Sequence, residues 1–128
     1  MQEMHLVESA VIRVVPRVER EEFINVGVIL LCKKVGFLKA ICWLNVAKLM
    51  ALYNDADIEQ ISANLNSLEK IAAGEKDCGS PIARLQPAER FRWLTAVRST
   101  VIQTSRPHPA LVVDPEATLQ RLLAELVL

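Results

Sequence analysis

Little in this chain is of the kind that announces chemistry. Only four glycines occur in 128 residues, and none forms the GxGxxG or GxxxxGK spacing whose backbone cradles phosphate. HExxH, GxSxG and paired CxxC patterns are likewise missing. The three cysteines, Cys32, Cys42 and Cys78, are odd in number and fit no zinc spacing, and there are only two histidines. No metal site and no cofactor are therefore expected. Cys32 and Cys42 lie inside apolar runs, where a free thiol behaves as a small hydrophobe, so a reducing cytoplasmic setting is expected.

Charge of one sign is also missing. Fifteen basic residues balance fifteen acidic ones, whereas a protein that grips phosphate backbones normally carries a basic excess. Only six residues are aromatic, most at positions expected to be core, so stacking platforms for nucleic acid are not expected. The uncharged run Phe23 to Cys32 is too short to span a bilayer. The start, Met1 to His5, has no basic stretch leading into an apolar one, so no signal peptide and no membrane association are expected.

What is present is a globular composition: 52% hydrophobic, 23% charged, mean hydropathy +0.24. The length suits one domain over residues 1–128. The apolar excess has two readings: a Leu- and Val-rich core, or a surface covered by another chain, including a second copy of this one.

The coarse order of elements is legible. Val7 to Val15 is rich in β-branched residues and closed by Pro16; Arg17 to Glu22 is a charged turn. Phe23 to Cys32 is apolar on both faces apart from Asn25, as in a central strand, and Gly27 marks a bulge or a close backbone approach. Lys33 to Gly36 is a turn into a third strand, Phe37 to Leu44, which completes a β-meander over 7–44. Residues 45–73 turn helical. Val46, Leu49, Met50 and Tyr53 share one spacing; Ile58, Ile61, Leu65, Leu68 and Ala72 form a stripe capped by Asp55 or Asp57 and stopped by Gly74. A loop over 74–86 leads to a helix begun by Pro87, with Phe91 and Leu94 inward, and then to a strand, Arg98 to Ser105, ending the 87–105 unit. Arg106-Pro107-His108-Pro109 reads as a stiff loop, and Asp114-Pro115-Glu116 opens a last helix over 114–127. The fold class is α+β: one antiparallel sheet of about four strands, the meander plus one later strand, with three to four helices packed on it.

Polar residues gather in two places. Around the first turn stand Arg13, Arg17, Glu19, Arg20, Glu21, Glu22 and Asn25, which either hold a substrate or make a solvated hairpin of exposed ion pairs. An amide in an apolar strand needs partners, so Asn25 either ties down the bulge or lines a site; the bulge is the first reading. Residues 84–108 hold five arginines against one glutamate, a balance of +4, while residues 55–77 hold six acids against two lysines, a balance of −4. Arginines without lysine suit bidentate binding of phosphate or carboxylate, unless the two segments face and cancel each other. Neither face of RSTVIQTS is apolar enough for a core strand, so it is an edge strand or the wall of a polar pocket. His108 beside it would need a carboxylate to orient it as a base, and Glu89 is the nearby one. Trp93 is read as core or interface.

Three stretches together carry a resemblance: SAVIRVVPRVEREEFINVGVILLC from Ser9, RLQPAERFRWLTAVRSTVIQTSRPH from Arg84, and DPEATLQRLL from Asp114. With them the chain resembles the bacterial family of unknown function DUF3037 over nearly its whole length. The resemblance implies no catalytic residues. It does imply a neighbouring HipA-like kinase as partner, hence a regulatory or accessory role. Pro109 departs from the glycine that often follows the histidine in that family.

Two functions follow as expectations. The first is a non-enzymatic accessory or interaction domain that binds a protein partner. The second is a small anion-site enzyme or sensor acting on a nucleotide or phosphate ester. In it Arg13, Arg90, Arg98, Gln103 and His108 would converge on one pocket, with Asn25 beside them and Glu22 or Glu89 as acid–base group.

Overall fold

The structure, a computed structural model, describes residues 3–128; Met1 and Gln2, the first part of the segment read above for a leader, lie outside the described residues. β1 (His5–Val14), β2 (Ile24–Cys32) and β3 (Phe37–Cys42) form the expected antiparallel meander. Gly36, at φ 68, takes the left-handed position in the β2–β3 turn that a side chain would resist. Between Gly27, opposite Ile12, and Asn25, opposite Arg13, the register skips one residue, so the bulge anticipated at Gly27 is present. The close approach is present too: a Cβ on Gly27 would stand 2.6 Å from the Ile41 carbonyl oxygen.

Four α-helices follow from ordinary capping chemistry. Asn45 caps α1 (Val46–Leu52) and Asp57, not Asp55, caps α2 (Ile58–Ala73), each accepting an N–H three residues on; Gly74 closes α2 at φ 74. Pro87 opens α3 (Pro87–Leu94), and Asp114 with Pro115 opens α4 (Pro115–Leu126). The segment expected as a plain loop over 74–86 contains two short 3-10 turns, Lys76–Cys78 and Pro81–Arg84.

The second half of the sheet differs from expectation. The strand anticipated over Arg98 to Ser105 is only β4 (Ile102–Thr104), and the anticipated loop at His108 is a fifth strand, β5 (His108–Val112). Both pair antiparallel with the outer edge of β1, β4 opposite Ile12 to Val14 and β5 opposite His5 to Ser9. The meander is therefore extended by two short strands laid end to end. Their registers differ by one residue, so a bulge at Arg106–Pro107 joins them. Pro107 brings no backbone donor to this joint, and Ser105 does the bonding instead. Its N–H donates to the Val11 carbonyl at 2.8 Å, and its Oγ accepts the Val11 N–H at 2.9 Å. Among the described residues Ser105 is the one polar residue that is buried.

Helices pack on both faces of the sheet. On one, Ala10, Ile12, Val14, Ile29 and Leu31 pack under Ile61, Leu65, Leu68 and Ala72 of α2 and Phe91 and Leu94 of α3. On the other, Val7, Val28, Leu30 and Cys32 pack under Leu119 and Leu123 of α4. β2 is thus the central strand its composition indicated. The two sheet edges are unlike. α2 lies along β3, and Glu69 accepts the N–H of Cys42 at 2.9 Å, closing that end of the edge. Beyond β5 no further strand is paired among the described residues.

Ser105→Ala should destabilise the fold by about 1–3 kcal/mol, because the Val11 N–H loses its acceptor where water is excluded. A lower urea midpoint at unchanged slope is the expected result. Burial, with the Glu69 carboxylate adding to it, pushes the Cys42 thiol well above its ordinary value of 9.0. The folded state keeps that proton where the unfolded state releases it, so stability should fall as pH rises past about 9. Urea midpoints at neutral and alkaline pH should show a larger loss for the parent protein than for Cys42→Ala.

Candidate functional site

α4 does not reach the far end of the sheet face it covers. Where it stops, Gln103, Arg13 and Asn25 form one polar rung across β4, β1 and β2, each opposite the next in register. The expected edge strand and the expected pocket wall are therefore one element: β4 pairs only with β1 and presents Gln103 to a cleft. Val15, Val18 and Phe23 bring apolar walls from the first turn; Val97, Arg98 and Ser99 close the other side, and Glu21 stands in the lining. The cleft encloses about 350 Å³.

Arg13 is its centre. The guanidinium lies over the Phe23 ring, 4.2 Å from the centroid. Its Nε is buried without a hydrogen-bond partner, and none of the ion pairs among the described residues includes it. Asn25 donates from Nδ2 to the Leu126 carbonyl at 3.1 Å, while its Oδ1 is buried and unpartnered. The amide read first as tying the bulge thus fastens the end of α4 to β2. Gln103 donates to the Thr100 carbonyl at 2.8 Å, which fixes the loop before β4. Arg98 donates to the Leu94 carbonyl at 3.5 Å and to the Trp93 carbonyl, and stacks on the Trp93 ring at 4.4 Å.

The remaining sequence candidates stand elsewhere. Arg90 donates to the carbonyls of Leu85, at 2.7 Å, and Ala72, at 3.3 Å, so it joins the end of α2 to the loop before α3. Burial lowers its pKa from the usual guanidinium range. Glu22 pairs with Arg20 at 2.6 Å in a separate cleft of about 290 Å³ with Arg17 and Tyr53, where the charges already satisfy one another. His108 is exposed on β5 opposite Ser9, and Glu89 is exposed in the first turn of α3; no hydrogen bond or ion pair joins them among the described residues. The −4 and +4 segments do not cancel through ion pairs either, since none of those described links them; Arg90 and Arg98 are spent on backbone carbonyls.

The aromatic expectation also needs correcting. Phe23, Trp43 and Trp93 are exposed; only Phe91 is fully inside. Phe23 precedes its strand and Trp43 follows its own, while Trp93 sits on the outer face of α3, so the periodicity that buries Phe91 and Leu94 turns it outward. Phe23 was missed as a site residue. Its signal was present: it lies two residues before Asn25, which a strand places on the same face.

In the cleft Arg13 keeps its donors free for an oxyanion, Arg98 adds positive charge while its N–H groups go to backbone carbonyls, and Glu21 is the carboxylate of the lining. Among the described residues no group of three His, Cys, Asp or Glu side chains could hold a metal ion, and no helix is long and apolar enough to cross a membrane. The molecule is an α+β protein with one five-stranded antiparallel sheet and a polar cleft at one end of it. Residues 9–127 match the model of a protein family of unknown function, DUF3037, and the chain belongs to that family. No curated protein and no solved structure matches it.

Proposed function

We propose that this protein is a non-enzymatic interaction domain that binds a protein partner through the open edge of β5. The observation that carries the reading is a bare apolar corner of the sheet. Leu6 and Leu111 oppose each other across β1 and β5 and are 61% and 63% exposed, with Met4 and Val113 exposed beside them. From Pro107 to Val113 the chain carries no Asp, Glu, Lys or Arg, the residues that normally blunt an edge strand.

The backbone is open as well. The N–H and C=O of Val11 point to the β4 side, so those of Ser9, Val7 and His5 do too. Their partners His108, Ala110 and Val112 are thereby satisfied, which turns the N–H and C=O of Leu111 away from the sheet. Pro109 faces the same way, where a proline costs no ladder bond. An uncharged extended segment of a partner can add here as a sixth strand. The HipA-like kinase implied by the family resemblance is the first partner to try.

Leu111→Asp should leave the fold within about 0.5 kcal/mol of the parent, since the side chain is at the surface, and should abolish capture of the partner. Pull-down of the tagged chain from its host checks this, with Arg121→Gln on the outer face of α4 as control. A partner retained by Leu111→Asp would overturn the reading.

A further inference from the structure

The cleft around Arg13 is independent of the β5 edge, and nothing in the partner reading uses it. Arg13 sits near the C-terminal end of β1, paired between Gln103 and Asn25, so its position is fixed by the sheet. A guanidinium with a buried, unbonded Nε and no acid paired to it is costly to keep unless something else completes it. The lining carries Arg13, Arg98 and Glu21, two positive charges against one negative, which matches a ligand with a single negative charge. A phosphate dianion would meet the Glu21 carboxylate with its second charge. The walls contributed by Phe23, Val15, Val18 and Val97 are apolar and give an attached hydrocarbon group a place to lie.

From these observations we infer that the cleft is a binding site for a monocarboxylate bearing a small apolar substituent, with Arg13 receiving the carboxylate and the Phe23 side receiving the substituent. Such a group arrives either on a free small acid or as the C-terminus of a peptide. The guanidinium offers two parallel N–H donors to the two carboxylate oxygens, and Phe23, stacked beneath it, holds the fork in plane.

Calorimetric titration with butyrate, with acetyl-alanyl-leucine bearing a free or an amidated carboxyl, and with inorganic phosphate tests the assignment. Saturable binding of butyrate and the free-acid peptide alike points to the carboxylate in either carrier; binding of the peptide alone points to a chain terminus. Arg13→Gln should weaken either by about tenfold or more, the scale of a charge-assisted pair. Should Arg13→Gln fail to fold, the Arg13 Nε–H resonance of the parent protein, followed by NMR during the same titrations, reports the contact directly and should shift with the carboxylates. Phosphate binding as tightly as the carboxylates, equal binding of the amidated peptide, unchanged affinity in Arg13→Gln, an unmoved Arg13 resonance, or no binding of any probe would overturn it.

Discussion

The Ser105 hydroxyl, accepting the N–H of Val11, lets one long strand be served by two short ones. β1 pairs with β2 along one edge from Glu8 to Val14, and its other edge would be half empty if the chain after β4 could not continue past Pro107. A proline and a one-residue bulge interrupt the ladder there, and the hydroxyl supplies the acceptor that the displaced backbone does not. Everything distinctive about the molecule lies on one side or the other of that joint. Before it, β4 sets Gln103 against Arg13; after it, β5 carries Leu111 to the sheet's open edge.

The helices cover the sheet incompletely, and the two bare areas are at opposite ends of β1. On the α2–α3 face the core runs from Ala10 to Val14 and leaves Leu6 uncovered. On the α4 face the core is built on Val7 and leaves Arg13 outside it. The first bare area is apolar and borders the open edge of β5; the second is polar and concave. A surface of each kind suits a different contact, a chain at one end and a small charged group at the other.

The local rules of the chain were readable in advance. The β-branched run of β1, the two-faced apolar run of β2, the cap Asp114 and the stripe from Ile61 to Ala72 each stand where their chemistry places them, and of the two aspartates offered for α2 the structure uses Asp57. β5 was not legible because prolines flank His108, and a proline pair reads as loop unless one knows that Pro109 turns its ring to a free edge. The extent of β4 was hidden for the opposite reason: Arg98 to Thr100 alternates like a strand but leaves the sheet, with Arg98 turned back to cap α3. Arginine count indicated a basic cluster, yet Arg90 serves the nearby Leu85 carbonyl and that of Ala72, 18 residues back, and spacing carries no trace of the second bond. The pairing of Arg13 with Gln103 needed the register across β1 and β4, strands about ninety residues apart that no local pattern aligns. Local propensity fixes elements; which side chains meet depends on long-range register.

In the proposed function the edge of β5 is open in the free protein and closed by a partner. Amide hydrogen exchange on the purified chain, alone and with the captured partner, reads this most directly. In the free protein the Leu111 amide should exchange rapidly while those of Ala110 and Val112 are protected, and adding the partner should slow Leu111 selectively. Equal protection of all three amides in the free chain, or a Leu111 amide that the bound partner leaves unprotected, would contradict the account.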